Sequence, residues 1–126
     1  MNAPPLTTRD RIQAAALELF LTAGVENTSV AEICRAAGVS NGSFFHHFPN
    51  KEELALEMTL ALRREYWGFL LAVLEPETEA MAGIERTVRA AFEYQRLYPD
   101  RYRFGRSDDA AWMRDNVQRV RDDNAP

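Results

Sequence analysis

Apolar residues recur at three- and four-residue spacing along most of this chain, and the breaks in that rhythm fall at glycine and proline. Ile12, Ala15, Ala16, Leu19 and Phe20 make one stripe that ends at Gly24, and Thr7 stands three residues before Asp10 as a capping box, so a helix is predicted over 8–23. Ser29 and Glu32 repeat the box, Val30, Ile33, Cys34 and Ala37 follow as the apolar stripe, and Gly38 supplies a left-handed stop. This second helix is short, about 29–37. Ser40 caps a third, whose Phe44, Phe45 and Phe48 are too closely bunched for all three to face a core. At least one of them must look outward.

Pro49 ends the third helix, and Asn50 with Glu53 opens a fourth that meets no breaker until Gly68 and runs to Leu74. Leu54, Met58 and Ala61 form one stripe on it while Leu56, Leu60, Trp67 and Leu71 form others, so it is expected to pack on more than one side and to couple two halves. After Pro76, the residues Met81, Ile84, Val88, Ala91 and Phe92 predict an amphipathic fifth helix to about Leu97. Pro99 starts a short sixth. Ser107 with Asp108 and Asp109 starts a seventh, whose buried face is marked by Ala110, Met113, Val117 and Val120. There is no strand pattern, internal repeat or low-complexity tract. The fold class is all-α, divided into a three-helix unit at 1–49 and a helical region at 50–126 led by the long linking helix.

Bulk properties narrow the possibilities. A chain of 126 residues allows one well-buried core, or a small module with a helical extension. Disorder is expected at the ends, Met1 to Leu6 and Asp122 to Pro126. No apolar run approaches the roughly 20 residues that span a bilayer and the N-terminus lacks a signal pattern, so the expected location is cytoplasmic, with no membrane partner. The single cysteine, Cys34, lies on a buried stripe and reads as a packed thiol, not a redox sensor. The net charge of −4 argues against coating nucleic acid through bulk positive charge. Up to Lys51, however, Arg9, Arg11, Arg35 and Lys51 balance Asp10, Glu18, Glu26 and Glu32, so the acidic excess lies downstream.

Residues Thr28 to Lys51 then carry the most specific signal: two short helices joined by a Gly-Val-Ser turn, followed one loop later by a lysine. That is the layout of a helix-turn-helix DNA-reading head, in which the start of the second helix reaches base edges. Ser40, Asn41, Gly42 and Ser43 are small or polar and let the backbone approach the groove. Asn41 either reads adenine through two hydrogen bonds or only shapes the turn. Phe45 packs against a thymine methyl or sugar, or is a rim residue of the small core. His46 and His47 point about 100° apart and share no metal, so each is either a DNA contact or a plain surface residue. Thr28 and Ser29 offer hydroxyls and N–H groups to a phosphate at a helix start, and Lys51 offers a mobile charge. Arg9 and Arg11 are weaker candidates.

Residues 8–54 resemble the DNA-binding domain of TetR-family transcriptional regulators. The resemblance rests on the Gly24 stop with Thr28-Ser29 four residues on, the AAGVS turn, Gly42-Ser43 before two aromatics, His47-Phe48, and Lys51-Glu52-Glu53-Leu54 at the start of helix four. Tyr98-Pro99 followed by Tyr102 is similar to that family's short sixth helix. The resemblance implies a homodimer on a pseudo-palindromic double-stranded operator, usually repressing until a small molecule enters the C-terminal core. It also implies two further helices forming a four-helix dimer interface, against which the region 50–126 is a shortened ligand-binding and dimerisation body. Phe45 stands where the family commonly has a tyrosine that contacts a phosphate, and that hydrogen bond cannot form here.

The second half is rich in large apolar groups, of which Met58, Trp67, Met81, Phe92, Tyr98 and Trp112 are candidates to line an effector pocket and otherwise plain core. Arg101, Arg103 and Arg106 read as a solvated face or as an anchor for an acidic ligand. No catalytic set is expected: neither Cys34 with a histidine nor Ser43 with His47 has a third group to orient a base, and there is no phosphate loop, cofactor motif or metal-ligand spacing. The alternative to a regulator is a shortened protein-binding module that pairs with a full-length relative and modulates it without binding DNA alone.

Overall fold

The computed structural model describes residues 4–76 and 78–123. Met1 to Ala3 and Asn124 to Pro126, where frayed ends are expected, lie outside the described residues, as do the side chains of Val120 and Asp123. The described chain is all helical: α1 (Thr8–Ala23), α2 (Val30–Ala37), α3 (Asn41–His47), α4 (Lys51–Ala72), α5 (Ala80–Leu97), α6 (Pro99–Gly105), α7 (Asp108–Asp115) and α8 (Val117–Asp123).

Local chemistry sets the helix starts. The side chains of Thr7, Ser29, Ser40, Asn50 and Ser107 each accept a hydrogen bond from a backbone N–H in the first turn, an arrangement worth about 1 kcal/mol per cap. Two glycines are required by conformation. Gly38 ends α2 at φ 70°, ψ 38°, and Gly24 ends α1 at φ 85°, ψ 161°, a region open essentially to glycine alone.

The core begins inside the first three helices, where Ile12, Ala16, Ile33, Phe44 and Phe48 are almost wholly buried. At 7 residues α3 is too short to hold itself, so its two buried phenylalanines tie it to the rest. The same cluster runs on through Leu54, Ala55 and Leu56 of α4 to Phe104 and Met113. Phe104 stacks on Phe20 at 6.2 Å, and the Val25 N–H donates to the Asp109 carboxylate at 2.9 Å. Body and head are therefore joined by packing and by a polar link, as well as by α4.

Four expectations are corrected. Helix α4 stops at Ala72, not Leu74, and past Thr59 only Leu70 of it is buried, leaving Trp67 and Leu71 about half exposed. On α5 the apolar stripe faces solvent: Met81, Ile84, Val88 and Phe92 are exposed by 77, 60, 50 and 69 %. The buried positions are Gly83, Ala90 and Tyr94, with Thr87 half-buried, because small residues let α5 lie close to α4. The seventh helix breaks at Asn116, whose amide donates to the Trp112 carbonyl at 2.9 Å and competes with helix continuation. Asp122, expected in a frayed end, instead belongs to α8 and accepts from Gln118 at 2.7 Å.

Candidate nucleic-acid interface

Burial alternates along α3 in a way that defines a reading face. Phe44 and Phe48 are inside, 5.7 Å apart, while Asn41, Gly42, Phe45 and His46 are exposed. Positions i, i+1, i+4 and i+5 share one side of a helix, so these four form a single outward surface along its length. Phe45 is 53 % exposed and stands edge-on to Phe44 at 5.3 Å, so the buried ring holds the exposed one in place. Nothing but the Ser40 hydroxyl lies within 4 Å of where a Cβ on Gly42 would sit. The surface is small, open and free of carboxylates, which suits close approach to base edges.

Ser40 spends its oxygen on the Ser43 N–H at 3.1 Å, and Ser43 is half-buried behind it. His47 is half-buried against His46 at 5.2 Å and Phe48 at 6.3 Å, and its carbonyl accepts from Arg9 at 3.3 Å. The structure thus brings Asn41, Gly42, Phe45 and His46 together and sets Ser40, Ser43 and His47 at their flank.

The start of α2 differs from a free anion site. The Thr28 side chain is 1 % exposed and its hydroxyl donates to the Gly24 carbonyl at 2.8 Å. It braces the loop and has no exposed surface for a phosphate. Ser29 remains exposed, but the Glu32 carboxylate already accepts its N–H at 2.9 Å, so a phosphate there would meet an acid.

Lys51 has a role that its position in the sequence does not reveal. Its ammonium donates to the main-chain carbonyls of Glu26, at 3.0 Å, and Thr28, at 2.9 Å, pinning the loop between α1 and α2 to the start of α4. One N–H is left for a phosphate. Arg9 is occupied as well: it pairs with Glu57 on α4 and lies over the Phe48 ring at 4.4 Å. Arg11 and Arg35 are exposed and have no partner among the described residues. Cys34 is buried, its thiol directed at the Ser40 carbonyl at 3.7 Å, and burial pushes its pKa up. It packs the crossing of α2 and α3.

The body holds a cavity of about 310 Å³ between α4, α5, α6 and α7. Of the six pocket candidates only Trp67 lines it. Tyr98 stands behind its wall, 5.1 Å from Tyr94, and Met58 is buried in the core. Met81 and Phe92 belong to the exposed stripe of α5, and Trp112 is 45 % exposed outside the cavity. Sequence reasoning missed Arg63, Tyr66 and Arg114, which do line it. The signal available was the spacing of Thr59, Arg63 and Tyr66, which puts a cation and a phenol on one side of α4.

Burial and the neighbouring Glu65 carboxylate, which accepts its hydroxyl at 3.3 Å, push the Tyr94 phenol up to about 12. A pKa raised above its ordinary 10 keeps its stabilising effect below pH 10 and loses it as pH rises toward 12, because only the unfolded chain ionises readily in that window. Absorbance titration of tyrosinate in the native and Tyr94→Phe proteins is expected to differ by one component with a midpoint of about 12. A missing component near 10 would contradict the buried setting.

A short capped helix crossed by a second, with Asn41, Gly42, Phe45 and His46 outward and a helical body behind, is a helix-turn-helix fold. Residues 12–58 match the profile described as "Bacterial regulatory proteins, tetR family", and over that segment the chain is similar to the family's N-terminal domain. It is 40 % identical over 87 residues to the HTH-type transcriptional regulator TcmR of Streptomyces glaucescens, covering 64 % of this chain and 37 % of that protein. Over 89 residues it is 28 % identical to the HTH-type transcriptional repressor KstR2 of Mycolicibacterium smegmatis, covering 71 % of this chain and 43 % of that one. A tetR-family regulator structure from Shewanella sp. PV-4 superposes with a TM-score of 0.78 at 30 % identity, over 89 % of this chain and 62 % of the other. The chain therefore spans less than two thirds of the length of each of these relatives.

Proposed function

We propose that this chain regulates transcription in the cytoplasm by reading a pseudo-palindromic operator with α3, two chains per site, and that it represses until a small molecule occupies the helical body. The observation that carries the reading is the division of α3 into a locked inner side, Phe44 and Phe48, and an open outer side, Asn41, Gly42, Phe45 and His46. Asn41 and His46 meet base edges, Phe45 meets a thymine methyl or sugar, and Ser43 and His47 flank them. Ser40 and Lys51 lie toward phosphates, which position without selecting sequence. The exposed apolar stripe of α5 supports association with further protein, since such a face on a helix is normally covered. The KstR2 relative, a repressor, supports the sign of regulation.

The experiment is a sequence selection with the native protein and Asn41→Ala. The variant is expected to relax preference at one base pair per half-site, a loss of about 1–3 kcal/mol of discrimination there. Half-sites are expected about one helical turn apart, or a small multiple of it. An unchanged sequence preference would remove Asn41 from direct readout, and an absence of any preference would overturn the regulator reading.

A further inference from the structure

The cavity in the body carries an unusual balance of charge. Arg63, Arg101, Arg106 and Arg114 all line it, in a chain whose net charge is −4. Two of the four have acidic neighbours. Arg101 pairs with Glu65 at 2.6 Å, and Arg114 lies 3.6 Å from Asp115. Arg63 has no partner among the described residues, and Arg106 gives one N–H to the Tyr102 hydroxyl at 3.3 Å without a carboxylate. Guanidinium groups gathered around a concave surface repel each other, and they do so least when an anion sits between them. A carboxylate matches the guanidinium fork through paired hydrogen bonds.

Beside the arginines the wall carries four aromatic rings, Tyr66, Trp67, Tyr94 and Tyr102, together with Thr59, Leu62 and Gly105. Tyr66 stands edge-on to Tyr94 at 5.0 Å and to Trp67 at 5.8 Å, and Tyr102 lies 6.4 Å from Tyr66. Glu65 is engaged twice, by the Tyr94 hydroxyl and by Arg101, so its charge is turned into the wall rather than offered to a ligand. These rings present flat faces and edges to a guest, and a volume of about 310 Å³ accommodates a molecule of one or two aromatic rings.

We propose that this cavity binds a small aromatic carboxylic acid, its carboxylate held between Arg63 of α4 and Arg106 at the C-terminal end of α6 and its rings packed among Tyr66, Trp67 and Tyr102. This deepens the effector part of the proposed function and rests on that reading only for its regulatory consequence; the binding itself does not depend on it. An anion bridging Arg63 and Arg106 ties α4 to α6, and α6 carries Phe104, which stacks on Phe20 of the head.

The test is calorimetric titration of the full chain with benzoate, 2-naphthoate and 4-biphenylcarboxylate, each beside its primary amide. At least one acid is expected to bind about tenfold or more tighter than its amide, a gap of about 1.4 kcal/mol. Arg63→Met and Arg106→Met should each remove most of that preference while leaving the helical circular dichroism unchanged. Equal binding of acid and amide, binding of neither, or an acid preference that survives both substitutions would overturn the proposal. Operator binding is measured on the same samples. Acid binding by a chain that fails to select DNA would overturn the regulator reading and leave this site standing.

Discussion

Phe44→Ala is expected to cost about 3–5 kcal/mol of unfolding free energy, the largest effect of any single substitution in the reading head. The ring is completely buried, touches Phe48 at 5.7 Å, and anchors a helix of only 7 residues that cannot persist without tertiary support. Truncation leaves a cavity between α1, α2 and α3 and frees α3 to rotate, so DNA binding is lost together with stability. The neighbouring residue provides the control. Phe45→Ala, at a position 53 % exposed, should change stability by less than about 0.5 kcal/mol while weakening DNA binding by about tenfold. Urea unfolding and DNA titration of the two variants separate these outcomes. Equal stability losses would mean that α3 does not sit with Phe44 inward.

Lys51→Met is expected to produce the second large effect, about 1–3 kcal/mol, because two loop carbonyls lose a charged donor together. The carbonyls of Glu26 and Thr28 are held at 3.0 and 2.9 Å by that ammonium, and Thr28 is the buried brace below α2. Thermal unfolding measures this contribution. The remaining N–H is available to a phosphate, so the variant should also bind all DNA sequences more weakly, with a salt slope lower by about one unit. A full stability loss with an unchanged slope would confine Lys51 to stapling the loop. An unchanged stability would contradict the staple.

The elements that could be read from residue order are those whose cause is local. Thr7, Ser29, Ser40, Asn50 and Ser107 start helices because each side chain meets an N–H three residues on, and Gly24 and Gly38 end them through backbone angles. The reading face of α3 was legible in part for the same reason, since three bunched phenylalanines cannot all be inside. What could not be read is which apolar face finds a neighbour. Periodicity on α5 identifies Met81, Ile84, Val88 and Phe92 as one side, but the side that touches α4 is the one with Gly83 and Ala90, where close approach outweighs hydrophobicity. Two of the pocket candidates, Met81 and Phe92, lie on the uncovered side. Contacts between residues far apart in the chain, such as Val25 with Asp109 or Arg9 with Glu57, leave no trace in local spacing. Asp109 reads as a favourable charge in the first turn of α7, and its bond to the α1–α2 loop emerges only from the fold.

Sedimentation of the purified protein with duplex DNA from upstream of its own gene, beside a scrambled duplex of equal length, tests most directly whether a pair of chains reads operator DNA through α3. A complex of two chains per natural duplex and little binding to the scrambled one are expected at physiological salt. Equal binding to both duplexes, or a single chain on the natural one, would contradict it.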